Sequence, residues 1–542
     1  DGLARNSMRS ALRFALVLCA AFVNALDNGL GSTPGMGWNS DYCTNCTRNG
    51  FQNEDFIHHI ASYLHSSGLQ KLGYHYVNMD ASWDTAERNS SGSLVPDPEL
   101  WPHGLSATVD YVHSLGLGFG LYGDRGTQDC AKNPGNLGHE SQDAVFYATE
   151  NIDWFKTDSC FASGDHATAF AEYGKMRDAL NHTGRPIWLA LCGWNPWYAP
   201  VGKSLGNSWR TGPDTGSGWG AVMQNVLNAI PVGKYAGRSE HGGGWNDLSL
   251  LLTPGMGSGA DFITPDRHRS QFSLWCVLAA NLLITGNLSA LDPYVLETWS
   301  NAEAIAVNQD PGGGTPVLLA SDVHAELADH PPARVAECGG EPDAQIWQLG
   351  SVYSGFLSNA HTKTCLNVDD CGSKVIYDGC VTTGGTCAGK GKFSNEQWTV
   401  ANTSIVSALD GRCLDEAGDG TLSIAACDAT SPAQKWTMTP AGQVTDASGR
   451  CLTAGAGPVA NASLTIARPL SDGWAVLFLN NQNSAVEMEC DSACIKAMGM
   501  EGGTVHVRDI WRHEAITDVA PGQGFNVTVP GAGASVFVKL TR

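Results

Sequence analysis

Four short apolar runs end at regular intervals, and that spacing constrains the fold more than any other feature of this chain. Tyr74 to Asp80, Gly118 to Asp124, Ile152 to Asp158 and Pro186 to Cys192 read as strands, with ends 44, 34 and 34 residues apart. This is the pitch of successive βα units, because parallel neighbours need a crossover of a dozen or more residues. Helical patterns fill the gaps. Phe56, Ile60, Tyr63 and Leu64 share one face of an amphipathic helix that Asn53 can cap. The spacing is weaker in Leu105 to Leu115 and clearer again in Phe170 to Leu180 and Met223 to Ile230. A doubly wound sheet is the alternative, but no Gly-rich phosphate loop follows the first strand. Acids end three of the four strands, which favours a (β/α)8 TIM barrel over residues 26–316, with its site at the C-terminal strand ends.

The segment Asn151-Ile-Asp-Trp-Phe-Lys-Thr-Asp158-Ser-Cys160 is the sharpest of these. Lys156 and Asp158 point to the same face of a strand. An acid at a buried strand end is costly unless it serves a site. Asp214, in Ser208-Trp-Arg210-Thr-Gly-Pro-Asp214, is a second candidate, with Arg210 near enough to hold it. By spacing alone Asp214 reads first as a loop or helix-cap acid. Two carboxyl groups are the usual requirement for glycoside hydrolysis.

Charge and cysteines narrow the class. A net charge of −22 argues against nucleic acid, since no basic patch offsets phosphate repulsion. Residues 1–25 read as upstream residues and a signal peptide: Met8 to Arg13 supplies positive charge, Phe14 to Phe22 an apolar run, and Val23-Asn-Ala25 a cleavage point. No stretch reads as a membrane anchor. Asn-X-Ser/Thr sequons at Asn45, Asn89, Asn181, Asn287, Asn402, Asn461 and Asn526 suit an exported glycoprotein. Export makes disulfides the default for the cysteines, with Cys413–Cys427 expected to close a short loop. Cys276, inside an apolar helical run, reads as a buried free thiol. Cys43-x-x-Cys46 lacks a second pair at zinc spacing, so no metal and no cofactor are expected.

Composition changes after residue 316. Residues 317–337 read as a linker and the start of a C-terminal β domain. Within 338–455, Gln345-Ile-Trp347, Glu396-Gln-Trp398 and Gln434-Lys-Trp436 recur with Cys365-Leu, Cys413-Leu and Cys451-Leu. This repeat resembles the ricin-B-type β-trefoil lectin module, with Glu396 in place of glutamine and a third unit that reads as truncated. Residues 456–542 hold hairpin-length strands suited to an antiparallel sandwich.

Eight motifs in order resemble glycoside hydrolase family 27, the α-galactosidases: Met36-Gly-Trp38-Asn39, Met79-Asp80-Ala81-Ser82-Trp83, Gly120-Leu-Tyr122-Gly-Asp124, the Asp158 segment, Cys192-Gly193-Trp194, Trp209-Arg210 with Asp214, Gly244-Trp-Asn-Asp247 and Ile305-Ala-Val-Asn-Gln-Asp310. Any one is weak and the ordered set is strong. The resemblance implies a retaining exo-α-galactosidase acting on galactose-containing glycans, with Asp158 as nucleophile and Asp214 as acid/base. It places substrate contacts at Trp38, Asp80, Tyr122, Lys156, Cys192, Trp194, Arg210 and Asp247. It also implies the disulfides Cys130–Cys160 and Cys490–Cys494, and a location outside the cell or in a lysosome or vacuole. A homodimer is compatible with it and not required.

Three departures bear on specificity. Ala81 stands where the family has a second acid for the C4 and C6 hydroxyls, Gly193 where it often has glutamate near C2, and Ser249 where it has another rim acid. An α-N-acetylgalactosaminidase, a β-L-arabinopyranosidase and a catalytically weak carbohydrate-binding protein are the alternatives. Intact Asp158, Lys156, Arg210 and Asp214 count against the last.

Overall fold

The computed structural model describes residues 26–42, 52–321, 333–339, 342–360, 364–380, 387–454 and 463–542, apart from positions 27, 241, 353, 388, 389 and 392. The signal-peptide segment, Cys43, Cys46, Asn45 and Asn461 lie outside the described residues.

Eight parallel strands form the barrel: β1 (Met36–Asn39), β2 (Tyr76–Asn78), β3 (Gly118–Asp124), β4 (Trp154–Asp158), β5 (Trp188–Leu191), β6 (Ser208–Arg210), β7 (Gly242–Asp247) and β8 (Leu282–Ile284). Each pairs with the next from β1 to β7, and β8 returns to β1. A parallel bridge from Leu251 to Ile284 closes the ring. The helices lie between strands. Glu54–Ser66 begins on Asn53, whose side chain accepts from the Phe56 N–H at 3.1 Å, and it buries Ile57, Ile60 and Leu64. Strand β3 is buried throughout, as a strand covered on both faces requires.

Aromatic side chains fill the barrel's lower interior. The Trp154 and Trp188 rings stack at 4.6 Å and 6°, with Tyr76 tilted against Trp154 at 5.0 Å. Gly35 is small because a Cβ there would stand 2.7 Å from the Trp154 ring.

The helix Pro265–Val277 is the hinge of packing between barrel and sandwich. Ser270 Oγ meets Ser535 Oγ at 2.9 Å, and fully buried Arg468 donates to the carbonyls of Val307 and Asn308. Cys276 is buried in this helix as a free thiol. The sandwich has a six-stranded antiparallel sheet that begins with Val317–Ser321 and continues with Leu464–Leu470, facing the pair Val486–Cys490 and Phe525–Val529.

Between those first two sandwich strands lie three four-stranded sheets with a separate apolar core. The Trp347, Trp398 and Trp436 indoles donate to the carbonyls of Leu452, Leu366 and Leu414 at 2.8, 2.8 and 2.9 Å. Each recurring tryptophan thus meets a recurring Cys-Leu step, and the first copy meets the last. The third unit is complete, contrary to its short sequence, because Arg334–Ala336 supplies the strand beside Cys451–Thr453. Disulfides join Cys338–Cys451, Cys365–Cys380, Cys371–Cys387 and Cys413–Cys427 here, with Cys130–Cys160 in the barrel and Cys490–Cys494 in the sandwich.

Candidate active site

Asp158 is the last residue of β4 and Asp214 follows β6, so both stand at the C-terminal end of the barrel. Register places Asp124 opposite Asp158 and Tyr122 opposite Lys156. Asp158 is nearly buried; its Oδ1 accepts from Ser159 N at 3.0 Å and its Oδ2 from the Tyr122 hydroxyl at 3.2 Å. Lys156 Nζ lies 2.8 Å from Asp80 Oδ2 and 3.9 Å from Asp158 Oδ2, and 5.0 Å above the Tyr122 ring. Asn39 donates to the same Asp80 oxygen at 3.2 Å.

The strand end holding Asp158 is clamped from outside. Cys130 is joined to Cys160, and Asp124 Oδ2 accepts from Cys160 N at 2.7 Å. Arg125 binds Ser159 Oγ at 3.0 Å and pairs with Glu172. Asp124, Cys130 and Cys160 are close enough together to suggest a metal, but the two sulfurs are spent on their own bond.

Asp214 is half-exposed and pairs with buried Arg210 at 2.9 Å. Its loop is held by α-helix Trp219–Val232, through Asn225 to Pro213 O at 2.7 Å and Asn228 to Thr211 O at 2.9 Å. Arg210 also reaches Gly212 O at 3.0 Å and Cys192 Sγ at 3.6 Å. Asp247 accepts from Ser249 N at 2.8 Å.

Lys156, Cys192, Arg210, Asp247 and Ser249 line one pocket together with Asn39, Asp41 and Tyr42, over a floor that includes Trp154. Trp38 lies fully buried in β1, its indole donating to Gly286 O at 2.9 Å. Trp194 is placed in a neighbouring cleft, between the barrel and Asn367 to Cys371 of the inserted module. Sequence reasoning missed Asp41 and Tyr42; the signal available was their place directly after the Trp38-Asn39 motif.

Electrostatics separate the two carboxyls. Burial, only partly offset by Lys156, pushes Asp158 up to about 6. Asp214, though half-exposed, has enough protein around it for desolvation to push it the same way, yet Arg210 and then Lys156 hold it below the ordinary carboxylate value. Burial and then Asp80 raise Asp41 to about 7. At Gly193, an added Cβ would stand 1.8 Å from the Tyr198 ring, so Tyr198 occupies the space that a longer side chain would need.

Residues 33–310 match the family model for alpha galactosidase A, and residues 463–538 that for the alpha galactosidase C-terminal beta sandwich domain. The chain is 41% identical to the alpha-galactosidase of Cyamopsis tetragonoloba over 287 residues, 52% of this chain and 66% of that protein. It is 38% identical to a probable alpha-galactosidase of Dictyostelium discoideum over 309 residues, 56% and 76% of the two chains. These matches therefore span about two thirds to three quarters of the relatives. Among solved structures, the Saccharomyces cerevisiae alpha-galactosidase with raffinose superposes with a TM-score of 0.61 at 20% identity, covering 95% and 99%. A β-L-arabinopyranosidase of Geobacillus stearothermophilus in complex with arabinose gives 0.59 at 18%, covering 94% and 97%. At such identities the superpositions speak for the fold.

Proposed function

The chain belongs to the alpha galactosidase A family, and from that membership we propose that it is a retaining exo-α-galactosidase acting on galactose-containing glycans. The observation that carries this reading is that two pocket-lining cations each hold one carboxyl, Lys156 standing 3.9 Å from Asp158 and Arg210 2.9 Å from Asp214. Asp158 attacks the anomeric carbon while Asp214 protonates the departing glycosidic oxygen. Water then cleaves the glycosyl-enzyme, with Asp214 taking its proton.

The free site is poised differently from the reacting one. Asp158 holds a proton more readily than Asp214 does, whereas the reaction needs the reverse distribution. Catalysis therefore runs through the form in which the one proton has moved from Asp158 to Asp214. Arg210 has Gly212 O and Cys192 Sγ as other partners, so the 2.9 Å ion pair to Asp214 can loosen as that carboxyl takes the proton.

A second reading, a β-L-arabinopyranosidase, is favoured by Ala81: a sugar without a hydroxymethyl group does not need the missing acid. Oxidised cysteines suit export to an oxidising compartment. No described helix is long and apolar enough to cross a membrane. The inserted module resembles a ricin-B lectin and is read as binding galactose-type sugars weakly or not at all.

Assay of the purified protein on a panel of p-nitrophenyl glycosides tests these readings. The α-galactoside is expected to turn over fastest. A faster β-L-arabinopyranoside selects the second reading, and turnover of none of the panel removes the enzymatic one.

A further inference from the structure

We propose that Asp41 is a specificity-determining residue of this pocket, recognising the hydroxymethyl group of a hexopyranose in place of the acid that Ala81 has lost. The inference rests on the glycosidase reading above and names a substrate class for the same site.

The geometry starts from one amide. Asn39 Oδ1 accepts from the Asp41 N–H at 2.7 Å, while Asn39 Nδ2 donates to Asp80 Oδ2 at 3.2 Å. A single side chain at the end of β1 therefore ties the Asp41 backbone to the Asp80 carboxylate. Asp80 is already committed. Its Oδ1 accepts from Ala81 N at 3.0 Å, and its Oδ2 receives both Asn39 and Lys156. Ala81, the next residue, carries only a methyl group.

Asp41 is the opposite case. Its Oδ1 accepts from Tyr42 N at 3.0 Å, and its Oδ2 has no hydrogen-bond partner among the described residues. It lines the pocket with Lys156 and Arg210. The charged and titratable groups that act on it are Asp80, Lys156 and Asp214, with Tyr42 alongside. Burial and then Asp80 place its carboxyl at about 7. In acidic solution it is neutral and can both donate to and accept from one sugar hydroxyl, which a carboxylate cannot do.

The test compares p-nitrophenyl α-galactopyranoside with p-nitrophenyl β-L-arabinopyranoside, which presents the same ring without the hydroxymethyl group. Asp41→Ala is expected to lower kcat/KM on the galactoside about ten- to a hundredfold, the size of one lost hydrogen bond to a charged or strongly polar group. On the arabinoside the change should stay under about threefold. Adding Ala81→Asp to Asp41→Ala should restore at least tenfold on the galactoside. Equal losses on both sugars, an unchanged galactoside rate or no rescue each overturn the proposal. If the wild type hydrolyses neither substrate, the glycosidase reading fails on its own. Calorimetric binding of galactose and L-arabinose to Asp158→Asn, with and without Asp41→Ala, then decides the role of Asp41: selective loss of galactose supports it, and equal binding overturns it.

Discussion

The Lys156 ammonium lies 2.8 Å from the Asp80 carboxylate, and the same ammonium stands 3.9 Å from Asp158 Oδ2. One cation thus offsets two buried acids on neighbouring parts of the barrel rim. Lys156→Met leaves both uncompensated, a loss of about 3–5 kcal/mol where a buried pair is broken. We expect kcat/KM on a galactoside to fall at least about a hundredfold. Lys156 is also the main influence lowering Asp158, so the residual activity should show an alkaline limb shifted upward. A limb that stays in place would separate Lys156 from the titration of Asp158.

The pH profile follows from the separation of the two carboxyls. Catalysis needs one ionised and one protonated carboxyl. As pH rises through about 6, the value to which Asp158 is pushed, the pair loses its last proton and no acid remains. As pH falls below the lowered Asp214 value, both are protonated and no nucleophile remains. We expect kcat/KM to be greatest between those limits and to decline above about pH 6. A profile still rising at pH 7.5 would contradict this.

Asp158→Asn should abolish turnover, since an amide neither attacks nor leaves. Asp214→Asn should keep activity on a dinitrophenyl galactoside, whose leaving group needs little protonation. Equal losses would undo the division of roles. The same Asp158→Asn change should affect stability in a pH-dependent way. A carboxyl raised from 3.8 to about 6 by folding costs the native state once it is ionised, so wild-type stability declines as pH rises from about 4 through 6. The variant should therefore unfold at higher urea concentration than wild type at pH 7.5, with the difference vanishing near pH 4.

Gly193→Ala should destabilise the rim. The new Cβ would lie 1.8 Å from Tyr198 Cε2, and Tyr198 is packed against Trp197 at 3.8 Å and Tyr173 at 5.5 Å. Overpacking of this kind costs about 1–3 kcal/mol. Urea denaturation should show that loss in the wild-type background and little of it once Tyr198→Ala has emptied the space. A neutral Gly193→Ala would mean that Tyr198 moves freely.

Strands β3 and β4 were readable because each carries a run of five or more buried or half-buried residues ending on an acid. Strands β6 and β8 are too short to mark, at three residues each, and β7 opens Gly-Gly-Gly, which leaves no side-chain alternation to read. Asp158, Lys156 and Arg210 stood out because charge at a buried strand end is costly. Asp41 did not, since it follows a short strand and resembles any loop acid until Asn39 links it to Asp80. The third lobe of the insert read as truncated because its missing strand, Arg334–Ala336, lies more than a hundred residues before its partner Cys451–Thr453.

That same arrangement dictates an order of events on the ribosome. Ser321, at the end of the first sandwich strand, pairs with Leu464, which is synthesised only after the whole insert. At about 5–20 residues per second the strand waits roughly seven to thirty seconds for its neighbour. Meanwhile the insert can complete its own core, since Arg334–Ala336 and Cys451–Thr453 bring its two ends side by side. The nascent sandwich then receives two chain segments already delivered close together, and the gap it must bridge has become short.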